Sequence, residues 1–390
     1  MDLSFTPEQQ LLADTVQRFL ADRYGFEARR AILRSKEGWS REVWAGLAEL
    51  GLLGLQVTEE HGGMAPAPVE TMVSMTAFGR ALLVEPYLSS AVVATALVGD
   101  LGSKSQRAEW LPAMVAGELV AALAHGEPGT RHDLARVSAT AARHGDGWVL
   151  SGHKAVALHA PAAGLLLVSA RTGGSAAAEA GISLFALRPG ARGLSLVPYR
   201  TFDGQIAAEV RLEGVAAGRD ALLGPEGGAF PALEAACDLG VAALCAEAVG
   251  AMQASLDATL DYVKARKQFG VPIGKFQALQ HRMVDMLMHL EQARSMSALA
   301  AMRAGSADPR ERRRSVSAAK VVVGKACRFV GQQSVQLHGG MGVTDEVMVS
   351  HHFRRLTAIE LSLGDTEHHL ERFVANAPAA PAGRRGEENA

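Results

Sequence analysis

Residues 266 to 280 read Arg266-Lys-Gln-Phe-Gly-Val-Pro-Ile-Gly-Lys-Phe-Gln-Ala-Leu-Gln280, a break between two long helical stretches. Upstream, Phe230, Leu233, Cys237, Val241, Leu244 and Ala248 recur at steps of three and four and continue through Leu256, Leu260 and Val263. That spacing predicts an amphipathic helix. Gly270, with Pro272 two residues on, predicts its end. A second helix is predicted from about Phe276, with Leu279, Met283, Met286, Leu287 and Leu290 on one side. The break itself gathers Arg266, Lys267, Gln268, Phe269, Gln277 and Gln280. A guanidinium fork at a helix end suits a bidentate grip on a phosphate or carboxylate. The plainer reading is a helix hairpin with a basic surface turn.

Working outward, the N-terminal part reads as helical to about residue 120. Thr6-Pro-Glu-Gln9 has capping-box spacing, with Pro7 at the first helical position. Further helices are expected around Trp44–Leu53, Met72–Leu83, Ala91–Leu101 and from Trp110. Between 121 and 224 the texture changes to short apolar or alternating runs, such as Leu165–Val168, Ile182–Leu187 and Ala208–Leu212, separated by Gly, Asp and Pro. These predict a small β domain, with 173–181 as a flexible hairpin tip. From 225 to 374 the chain reads as helical again, and a four-helix bundle is the natural packing. Residues 375–390 lack apolar periodicity and read as a disordered tail. The fold class is α+β.

Composition bounds the function. The 390 residues carry a formal net charge of -2, 48% apolar and 21% charged side chains, so no basic excess exists for general nucleic-acid binding. Cys237 and Cys245 on one predicted helix stand roughly 12 Å apart by axial rise, too far to bridge, and Cys327 is the only other. Free thiols, no export-type leader and no uninterrupted apolar run of membrane length lead to the expectation of a cytoplasmic protein without a membrane span. His351-His352 and His368-His369 lack metal-site spacing, and no metal is expected. Arg312-Arg-Arg314 reads as a solvated turn.

Two motifs now carry more weight together than apart. The run RKQFGVPIGKFQALQHRMVDM, 266–286, resembles the signature of the acyl-CoA dehydrogenase family of flavoproteins, and Gln336-Leu-His-Gly-Gly-Met-Gly342 resembles that family's second signature. The likeness extends from Met1 to about Val374, and is strongest to the small subunits of two-chain bacterial members such as that of pimeloyl-CoA dehydrogenase. It implies a helical N-terminal domain, a central β domain and a C-terminal four-helix bundle. It also implies FAD, an acyl-CoA substrate oxidised to the 2-enoyl-CoA in fatty acid or dicarboxylate degradation, and electrons passed to an electron-transferring flavoprotein. Arg266 would meet the FAD pyrophosphate, Gln277 the adenine-dinucleotide half, and Gln268 and Phe269 its approach. Gln336, Leu337, Gly339 and Gly340 would close over it. In this family these residues reach a neighbouring subunit's cofactor, so a dimer or tetramer is implied.

The chain departs from the family pattern at the chemistry. The family's proton acceptor, the Glu of a Glu-Gly-Thr segment, falls on Leu363, and its alternative location falls on Gly240. Neither can take a proton, and the catalytic base is left unassigned. Glu247, two turns beyond Gly240, is a candidate whose other reading is a carboxylate paired inside the bundle. Glu360 and Asp365 lie near Leu363. Where relatives place Trp-Ile-Thr against the flavin ring, this chain has Val156-Ala157-Leu158, and Gly126-Glu-Pro-Gly129 stands for Thr-Glu-Pro-Gly. These losses lead to the expectation of a larger homologous partner that supplies base and flavin platform. A non-catalytic structural subunit and a homo-oligomer with a displaced base are the alternatives.

Overall fold

The computed structural model describes residues 5–377. Six α-helices open the chain: α1 Pro7–Arg23, α2 Phe26–Arg34, α3 Arg41–Glu49, α4 Pro68–Ala81, α5 Thr95–Leu101 and α6 Lys104–Val115. A π-helical stretch, Tyr87–Ala94, runs directly into α5. The Thr6 box is formed: Gln9 N–H donates to Thr6 Oγ1, and Thr6 N–H donates to Gln9 Oε1. The last helix of this group starts at Lys104, not Trp110, because Ser103 and Gln106 form a second capping box.

Strands follow: β1 Ala121–Ala124, β2 Thr140–His144, β3 Gly147–Leu158, β4 Leu165–Arg171, β5 Ile182–Leu187, β6 Leu194–Arg200, β7 Ile206–Ala217 and β8 Leu222–Leu223. They form one sheet in the order β6-β7-β3-β2-β4-β5-β8, with β1 pairing parallel to β4. Strand β4 is buried along its whole length. Opposite β7, strand β3 carries one extra residue between Lys154 and Ala157, a bulge at which Val156 takes a left-handed backbone, φ 53°. The tip at 173–181, expected to be flexible, is folded around a guanidinium. Arg171 donates to the carbonyls of Ala135, Val137, Gly173, Ala176, Ala178 and Ala180.

The C-terminal part holds α7 Phe230–Ala265, β9 Lys267–Gln268, β10 Val271–Pro272, α8 Gln277–Arg303, α9 Pro309–His338, α10 Met348–Leu361 and α11 Thr366–Ala375. By length and composition α7 could cross a bilayer, but it is the buried central rod of this core. It ends at Ala265, five residues before the expected stop at Gly270. Phe269 (φ 53°) and Gly270 (φ 79°) are consecutive left-handed residues, the two-residue turn that closes the β9–β10 hairpin rather than a helix cap. Arg312, expected in a solvated turn, lies in α9 and is buried against Glu234 and Asp238. Of the expected tail, Ala375 closes α11, Arg310 donates to the Asn376 and Ala377 carbonyls, and residues from 378 on lie outside the described residues.

Candidate active site

Helices from both ends of the chain meet the sheet around a cavity of about 760 Å³. Leu88, Ser89 and Val93 of the π-helical stretch, Val241 of α7 and Leu361–Gly364 wall one side; the 125–134 loop, Val156 and Leu158 wall the other. Leu363 and Gly240 come together here. A Cβ placed on Gly240 would lie 2.9 Å from Leu363 Cδ1 and 3.1 Å from Val93 Cγ2. The two positions therefore share one space, and the leucine side chain occupies it.

The turn that presents Leu363 is heavily built. Lys320, 1% exposed, donates from Nζ to the carbonyls of Glu360 (3.0 Å), Ser362 (2.9 Å) and Gly364 (2.6 Å). His369 Nε2 donates to the Leu363 carbonyl at 3.0 Å. Burial pushes the Lys320 ammonium below its ordinary pKa and holds His369 at about 3, hence neutral. With these anchors Leu363 is fixed at φ 52°, an uncommon conformation for a leucine.

The carboxylates nearby are committed. Arg355 grips Glu247 bidentately, Nε–Oε1 2.5 Å and Nη2–Oε2 2.7 Å, and reaches Asp203 Oδ2 with Nη1 at 2.8 Å. Glu247 is thus a buried counter-ion, and it does not line the cavity. Glu360 accepts from the Thr366 hydroxyl at 2.9 Å. Asp365 caps α11 through the His368 N–H at 2.8 Å, which holds its carboxyl low, and its second oxygen is 3.4 Å from His132 Nε2. On the cavity wall Asp238 is held by Arg312 and Arg372. Glu127 is held by Lys154 at 2.6 Å and by the N–H groups of Ser138 and Ala139. Burial lowers the Lys154 ammonium to about 8, with Glu127 opposing. Of the lining carboxylates, Asp133 alone lacks a cation among the described residues, and it is exposed.

The other expected site residues gather elsewhere. Tyr262 stacks on His338 with ring centroids 4.4 Å apart, and Arg282 Nη1 donates to Gln333 Oε1 at 3.1 Å. These contacts hold the end of α7, the start of α8 and the end of α9 side by side. Arg266, Gln268, Phe269, Gln277, Gln336, Gly339 and Gly340 are all exposed there, Phe269 at 91%. Leu337 differs: its side chain is 6% exposed in the C-terminal core, so it packs and cannot present a side chain to a cofactor. None of the eight lines the cavity.

A dinucleotide phosphate fits this end. Arg266 forms no salt bridge among the described residues, and Lys267 and Lys275 are exposed beside it in the chain. A Cβ at Gly339 or Gly340 would meet nothing within 4 Å, so their backbone is open to approach. At the positions where the family's Trp-Ile-Thr would fall, no aromatic ring is present: Val156 is 56% exposed and Ala157 is buried, and the phenyl ring that does line the cavity, Phe202, comes instead from the turn between β6 and β7.

Sequence reading missed Lys320 and the Glu127–Lys154 pair. A signal existed for the first, since Lys320 falls on the apolar stripe Val316, Ala319, Val323 and so had to be buried. The second joins residues 27 apart on different elements and left no local trace.

The chain matches the families described as acyl-CoA dehydrogenase N-terminal domain over residues 6–118, middle domain over 122–215 and C-terminal domain over 230–377. It is 30% identical to the human mitochondrial short-chain specific acyl-CoA dehydrogenase over 331 residues, covering 83% of this chain and 79% of that one. It is 31% identical to acyl-CoA dehydrogenase FadE12 of Mycobacterium tuberculosis over 359 residues, 90% and 91% of the two chains. Among solved structures, a variant of the Tcur3481-Tcur3483 steroid ACAD superposes with TM-score 0.85 at 30% identity, over 95% of this chain and 97% of that one. The ChsE4-ChsE5 complex of Mycobacterium tuberculosis gives 0.87 at 25%, over 97% and 100%.

Proposed function

Since this chain belongs to the acyl-CoA dehydrogenase family, we propose that it works as one subunit of a dehydrogenase whose FAD site is completed between chains. The family oxidises acyl-CoA to enoyl-CoA, and its members are FAD-dependent flavoproteins. FAD, when bound, accepts the hydride. The protein must hold the thioester, exclude water and take the α proton.

The separation of the two sets of residues carries the proposal. The phosphate-gripping set stands exposed at one end of the bundle and reaches no part of the chain's own cavity. At that cavity both usual base positions are apolar and in contact, and of the lining carboxylates all but the exposed Asp133 are spent as counter-ions. Arg266, Gln268, Gln277 and the Gly339-Gly340 backbone hold a cofactor belonging in part to a larger homologous chain, and that partner supplies the flavin platform and the proton acceptor. Two of the similar structures are named as pairs, Tcur3481-Tcur3483 and ChsE4-ChsE5, which supports a two-chain assembly. The substrate is an acyl-CoA of fatty acid or dicarboxylate breakdown, the electron acceptor an electron-transferring flavoprotein. We place the complex in the cytoplasm, a setting that suits three free, buried thiols.

Purification of the chain alone and together with such a partner tests this. The lone chain should be colourless and inactive, and the mixture yellow, with flavin that bleaches on acyl-CoA addition. A lone chain that is yellow and turns over overturns it.

A further inference from the structure

The two halves of the exposed phosphate-gripping set come from different helices. Arg266 follows the last residue of α7, whereas Gly339 and Gly340 follow the last residue of α9. A grip shared between two elements works only if their spacing is fixed to within roughly 0.5 Å by packed neighbours. Here each half is continuous with an aromatic ring. The Arg266 N–H donates to the Tyr262 carbonyl at 2.8 Å, one turn back along α7. His338 closes α9 and directly precedes Gly339. The two rings lie face to face, centroids 4.4 Å apart and planes 25° from parallel.

Both rings are anchored to the parts they would position. His338 is 6% exposed, and its Nδ1 lies 2.8 Å from the Ser334 carbonyl. A carbonyl only accepts, so Nδ1 carries the proton. Burial lowers the proton affinity of the ring and keeps it neutral at pH 7. The glycine turn folds back over this residue: a Cβ on Gly342 would lie 3.0 Å from His338 Cβ and 2.6 Å from the Val335 carbonyl oxygen. On the other side the hairpin is seated on the end of α7. The Ile273 N–H donates to the Arg266 carbonyl at 2.8 Å, and a Cβ on Gly274 would stand 3.1 Å from the Val263 carbonyl oxygen.

We propose that Tyr262 and His338 are positioning residues for the shared cofactor: their stack sets the spacing between the Arg266 guanidinium and the Gly339-Gly340 backbone. It thereby decides how tightly the dinucleotide phosphates are held. This rests on the two-chain reading above, in which this end of the bundle grips a cofactor belonging in part to another chain. Neither ring has to touch the cofactor; each acts through the group that follows it in the chain. The contact uses the face of the Tyr262 ring, so phenylalanine should serve at 262 and leucine should not.

Release of FAD from the assembled complex, followed by the rise in flavin fluorescence well below the melting temperature of every variant, tests this. Tyr262→Leu and His338→Ala should each speed release about two- to tenfold, the range that one aromatic pair supplies. The double variant should be no faster than the faster single, because both remove the same contact. Tyr262→Phe should release FAD at the parent rate. Should one of the truncations fail to fold, the other decides alone. Release that neither truncation alters, effects that add in the double variant, or Tyr262→Phe as fast as Tyr262→Leu overturns the proposal. Arg266→Ala separates it from the reading beneath. Faster release for Arg266→Ala with none for the ring variants overturns the positioning role and leaves the two-chain site standing. No change for Arg266→Ala, or a complex that never holds flavin, overturns the two-chain reading itself.

Discussion

Glu85 is 3% exposed; its Oε1 accepts from the Ser40 N–H at 3.1 Å, and its Oε2 has no hydrogen-bond partner among the described residues. Burial pushes its carboxyl up from an ordinary value of 4.5 to about 7. The folded state therefore holds this proton more tightly than the unfolded chain. The stabilisation is fully present below about pH 4.5 and is lost as pH rises through about 7. Glu85→Gln keeps an acceptor for Ser40 and removes the titration. In urea unfolding it should match the parent near pH 4.5 and exceed it by ~1–3 kcal/mol at pH 8. A difference that is flat with pH would show that Glu85 does not titrate in this window. Nothing local in Val84-Glu-Pro-Tyr87 marks this carboxylate as buried; it is enclosed by contacts from α1 through α4, such as Tyr24, whose hydroxyl accepts from the Val84 N–H.

At the scale of elements, the α10–α11 turn depends on one amine from α9. Lys320→Met would keep the stem's volume and leave the carbonyls of Glu360, Ser362 and Gly364 without that donor. The loss should be ~2–4 kcal/mol in chemical denaturation, and should also release the left-handed Leu363. Unchanged stability would mean that water replaces the ammonium. The long elements were legible in the sequence because their apolar residues repeat at 3.6, and the sheet because its runs are short and end at Gly, Asp or Pro. The hairpin inside the basic break was not: Phe269-Gly270 resembles a helix stop, and only pairing of 267–268 with 271–272 distinguishes the two. The candidate site was legible in part. Leu363 and Gly240 could be recognised as unable to accept a proton, but that they touch each other depends on α7 lying against the α10–α11 turn, about which neither local sequence carries information.

Over the whole molecule, one buried cation joins the three parts of the chain. Arg355 of α10 meets Glu247 of α7 and Asp203 of the β6–β7 turn, while Glu247 and Arg355 also wall a small void with Phe78 of α4 and with Leu83 and Glu85 of the segment that follows it. Removing one member of a buried charge cluster costs about 3–5 kcal/mol. Arg355→Leu should therefore unfold the helical and β parts at a lower temperature, as followed by calorimetry, and a split into two transitions would show that the cation coordinates them. The opposite end of the bundle should behave in the reverse way. Phe269 is 91% exposed and meets Phe276 edge-on, ring centroids 6.1 Å apart, so Phe269→Ser should change the stability of the isolated chain by no more than ~0.5 kcal/mol. Arg266→Ala, at a residue without a salt bridge among the described residues, should be equally silent there. In the two-chain reading proposed above, both belong to the surface that would reach another chain's cofactor. In the assembled protein, sedimentation and flavin retention should therefore fall for Phe269→Ser, and flavin retention alone for Arg266→Ala. A pair of variants that lowers the melting temperature of the lone chain but leaves assembly and flavin content intact would assign this end of the bundle to folding, not to the shared site.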